Sequence, residues 1–90
     1  MSDITNIPSA SLELLISMLS SQAMVSMGIL NIPGQEKVEK NLPVAQHLIS
    51  LLEVLETKTQ GNVTDGEKQL LERVLHELRM SFLAVKDLEK

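Results

Sequence analysis

The sequence predicts an all-α fold, a three-helix bundle, on three observations. Apolar residues recur at helical rather than alternating spacing in three separate segments. Each segment is bracketed by residues that start or stop helices. The apolar content is 43% with Phe82 as the single aromatic residue, so Leu, Ile, Val, Met and Ala must fill the interior. That palette suits interdigitating helices better than a sandwich or a barrel.

The elements follow in order. Residues 1–9 read as an irregular lead and residues 10–90 as a single helical domain, since ninety residues make one core and not two. Ser9 or Ser11 can cap a first helix over about residues 10–30, with Glu13 in the first turn, where negative charge suits the helix dipole. Asn31, Pro33 and Gly34 are expected to stop it, and residues 31–40 form a polar linker. Asn41 can cap a second helix, with Pro43 in its first turn, running to about Gln60. Gly61 supplies a left-handed stop, Asn62 and Val63 a tight turn. Thr64 and Glu67 make a T-x-x-E capping box for a third helix over about residues 65–87.

The three helices differ in how much of their circumference is apolar. The third has one seam, Leu71, Leu75, Leu78, Phe82 and Val85, joined by Leu70, Val74 and Leu88. The second is expected to bury Val44, Ala45, Leu48, Leu51, Leu52 and Leu55. The first carries two stripes. One is Leu12, Ile16, Leu19, Ala23, Met27 and Leu30; the other is Leu14, Met18, Val25 and Ile29, more than 100° round the wheel at ~100° per residue. A helix apolar nearly all round must be covered nearly all round. Two partner helices cover one flank, so the second stripe is expected to meet another copy of the chain. This makes Leu14, Met18, Val25 and Ile29 the candidate oligomer interface, most simply of a twofold dimer. Met18, Met24 and Met27 suit such a surface because unbranched thioethers adapt to irregular partners.

Composition and motifs narrow the chemistry. A net charge of −4 repels phosphate backbones and no aromatic platform exists for stacking bases, which argues against nucleic acid as a partner. There is no cysteine, so disulfides and thiolate metal sites are absent, in keeping with a cytoplasmic protein. Residues 14–32 hold no charged side chain, but serines, Gln22 and Asn31 interrupt them and no Lys or Arg precedes them, which argues against membrane insertion. Residues 61–68 resemble a phosphate loop only superficially. Glu67 intrudes before Lys68, and Gln69 stands where a metal-binding hydroxyl is needed. His76-Glu77-Leu78-Arg79-Met80 is a zinc motif without its second histidine. No catalytic, cofactor or metal site is expected. An enzyme site assembled around His47, His76 and Glu53 is the reading that spacing supports least.

The run from Leu42 to Arg79 carries K-T-x-G-N-hydrophobic-T-x-x-E, read here from Lys58 to Glu67, between two helices. In this it resembles the small bacterial family called domain of unknown function 1844, as does the upstream helix ending near Gly28. The resemblance spans about residues 11–84 and implies a helical fold with no assigned activity. Physically, the marker is explained by Lys58 at a helix C-terminus, Gly61 at positive φ, and the Thr64–Glu67 cap. The functional alternative makes Lys58, Thr59 and Asn62 a polar patch for an unidentified protein partner. The expectation is therefore a non-enzymatic, self-associating interaction module, the alternative being an apolar-ligand or membrane-surface binder using the methionine face of the first helix.

Overall fold

The computed structural model describes residues 10–30 and 40–88, and places three helices there: α1 (Leu12–Met27), α2 (Leu42–Lys58) and α3 (Asp65–Leu88). No strand occurs among the described residues, and each helix packs against the other two. The expected three-helix bundle is what forms. The 1–9 lead and residues 31–39 of the linker lie outside the described residues.

The helix starts are set by side chains that satisfy otherwise orphaned backbone donors. Ser11 Oγ accepts from the Leu14 N–H at 3.0 Å, and Asn41 Oδ1 from the Val44 N–H at 3.1 Å. At α3 the bonds are reciprocal. Thr64 Oγ1 accepts from the Glu67 N–H at 3.1 Å, and Glu67 Oε1 accepts from the Thr64 N–H at 2.8 Å. This is the capping box that the T-x-x-E spacing predicts.

The first helix ends earlier than expected. Gly28, at φ +82°, stops it, rather than Asn31, Pro33 and Gly34. The Gly28 N–H reaches the Val25 carbonyl at 3.0 Å and the Ile29 N–H reaches the Met24 carbonyl at 3.1 Å, a Schellman closure. The next carbonyl, on Ser26, accepts from the Asn41 N–H at 2.7 Å. The end of α1 is thereby tied to the cap of α2, and the two helices run antiparallel. α2 ends at Lys58, two residues short of Gln60, with Thr59 as its cap. Gly61 does take the left-handed conformation, at φ +82°, inside the turn to α3.

α2 and α3 form the expected antiparallel hairpin. Glu53 meets Arg79 (Oε2 to Nη2, 2.7 Å), while Ile49, earlier on α2, shares a cleft with Phe82, later on α3. Both partners of this ion pair are about half exposed, so it contributes about 0.2–1 kcal/mol. Hydrophobic burial does more. Ile16, Ala23 and Met27 of α1 close over Ala45, Leu48, Ile49 and Leu52 of α2 and Leu71, Val74, Leu75, Leu78 and Val85 of α3.

Three expectations about burial are corrected. α2 is rotated relative to the expected stripe: Ile49 is buried, while Val44 and Leu51 are 43% and 39% exposed. Leu88, at the last turn of α3, is exposed, having no α2 residue opposite that far along, and so is Leu30 of the first stripe, which lies beyond the Gly28 cap and off the helix. Met27, expected at an adaptable surface, is 1% exposed in the core, and Met24 is half-buried.

The body is elongated and thin, 44 × 36 × 16 Å, with a Cα radius of gyration of 14.7 Å, against ~12 Å for a compact chain of this length. Its accessible surface is 6690 Å², where a compact monomer of this mass exposes about 5,200 Å².

The Gly28 closure gives a test. Gly28→Ala places a Cβ at positive φ, beside the aliphatic part of Lys40, and should lower stability by ~1–2 kcal/mol. Urea denaturation followed by circular dichroism checks it; an unchanged midpoint would mean that this glycine does not set the end of α1.

Candidate functional site

With Ile16, Ala23 and Met27 turned inward, the far side of α1 carries Leu14, Leu15, Met18, Gln22 and Val25 at ~100° per residue. Met18 is 51% exposed, and Ile29, just beyond the Gly28 cap, is 50% exposed. Leu14 and Val25 are half-buried. None of the four sequence-derived interface residues is sealed by its own chain. Leu14, Met18 and Val25 share one side of the helix, and Ile29 continues their spacing past the cap. Leu15, 43% exposed, belongs with them and was not anticipated. Its signal is the run 15-18-22-25, whose steps alternate between three and four.

The residues proposed as a polar patch lie close together at the hairpin end but do not line one hollow. The Thr59 hydroxyl donates to the Leu55 carbonyl at 2.8 Å, which uses it to finish α2. Thr59 also lines a cleft of about 360 Å³ at the hairpin end, with Glu56, Gln60, Gly61, Val63, Lys68, Leu71 and Glu72. Lys58 instead borders a shallow groove with Ser50, Glu53, Val54 and Thr57. Asn62 is exposed, and its N–H donates to the Thr59 carbonyl at 2.9 Å. Gly61, Thr64 and Glu67 all act in the turn and cap as their spacing predicts.

Residues 61–68 follow a helix and build a helix cap, with two acidic side chains, Asp65 and Glu67, in the first turn of α3. That arrangement repels an anion where a phosphate loop must attract one. His47 and His76 are exposed on different helices, and the Glu53 carboxylate is engaged by Arg79. Among the described residues no three His, Asp or Glu side chains group as metal ligands. Among the same residues none of the buried core side chains is polar or charged. No described helix is long and apolar enough to cross a membrane. The feature that stands out is thus an apolar face and not a polar constellation.

The model of the family described as Domain of unknown function (DUF1844) matches residues 9–84. No curated protein and no solved structure matches the chain.

The hairpin cap can be tested directly. Thr64→Ala removes the acceptor for the Glu67 N–H and should cost ~1 kcal/mol of stability. The shift of the chemical denaturation midpoint measures it, and no shift would mean that α3 starts without this cap.

Proposed function

The chain belongs to the DUF1844 family, and on that premise we propose that it is a non-enzymatic helical interaction module that self-associates through α1, most simply as a twofold dimer. The observation that carries this reading is Met18, half exposed at the middle of an uncharged helix face with Leu14, Leu15 and Val25 around it. An apolar strip of this kind, on a body too thin to fold over it, is the usual mark of a contact surface. A twofold contact lets one strip cover its own copy. In this reading the dimer acts in the cytoplasm by binding or positioning another protein, a role that needs surface and shape but no reactive group.

The alternative is an apolar ligand or a membrane surface held by the methionines of α1. It is weaker because Met27 lies in the core and Met24 is half-buried, leaving Met18 alone fully on the outward side. Liposome flotation separates the two readings: the self-association reading expects the protein to stay at the bottom of the gradient.

Light scattering coupled to gel filtration tests the main reading. The expected mass is twice the 10.0 kDa of the chain. Met18→Asp should return it to a monomer with unchanged helical content, because an unpaired charge is costly to bury. A wild-type monomer at every concentration up to about 1 mM, the weak limit for a specific contact, would overturn the proposal.

A further inference from the structure

We draw no further inference here: the strongest candidate, the open cleft between α2 and α3 at the hairpin end, lined by Glu56, Thr59, Val63, Lys68, Leu71 and Glu72, carries nothing because none of its polar side chains is buried and nothing in the structure shows what fills it.

Discussion

The structure depends on how α1 is shared between two demands. Its inner side, Ile16, Ala23 and Met27, closes the core over the α2–α3 hairpin, and these three residues are almost completely removed from water. A two-helix hairpin alone has an apolar side with nothing to cover it, so α1 completes the subunit. Yet the helix that completes it brings further apolar surface of its own, and the chain has no fourth helix among its described residues to cover that. The other features follow from this geometry. The body is thin, no described polar side chain is buried, and apolar side chains such as Met18 stay open to water.

Much of the fold was legible because helix ends are written in single residues. Ser11, Asn41, and Thr64 with Glu67 each announce a start through one oxygen at a fixed distance along the chain, and each makes the bond its position allows. Gly61 likewise marks the turn. The end of α1 was misplaced because two stop signals compete in the sequence. Gly28 precedes the denser Asn31-Pro33-Gly34 cluster, and a lone glycine within an apolar run reads as a small residue in a helix. What decides for Gly28 is the pair of backbone bonds that its left-handed conformation permits, which no composition argument weighs.

The rotation of α2 was less legible for a different reason. Val44, Leu48, Ile49, Leu51, Leu52, Val54 and Leu55 surround most of the helix with aliphatic side chains. Periodicity then fixes that a helix exists but leaves its facing free by about one ridge. α3 shows the contrast. Its charged residues leave a single apolar stripe, and Leu71, Leu75, Leu78 and Val85 are buried as their spacing requires. Met18 and its neighbours were found from α1 alone, whereas the exposure of Val44, Leu51 and Val54 needed the packing angle, which only the tertiary structure supplies.

The Ser26–Asn41 bond has a consequence for how the chain tolerates change. It pins the two ends of the α1–α2 connection beside each other, so the ends are already closed at the base. For a segment anchored this way, doubling its residues adds only about 0.6 kcal/mol of entropic penalty. The α1–α2 joint is therefore the natural place to graft an epitope or a fluorescent reporter, whereas the short Thr59–Thr64 turn, closed by the Asn62–Thr59 backbone bond and ending in the Thr64 cap, is the place where even one inserted residue would unseat α3.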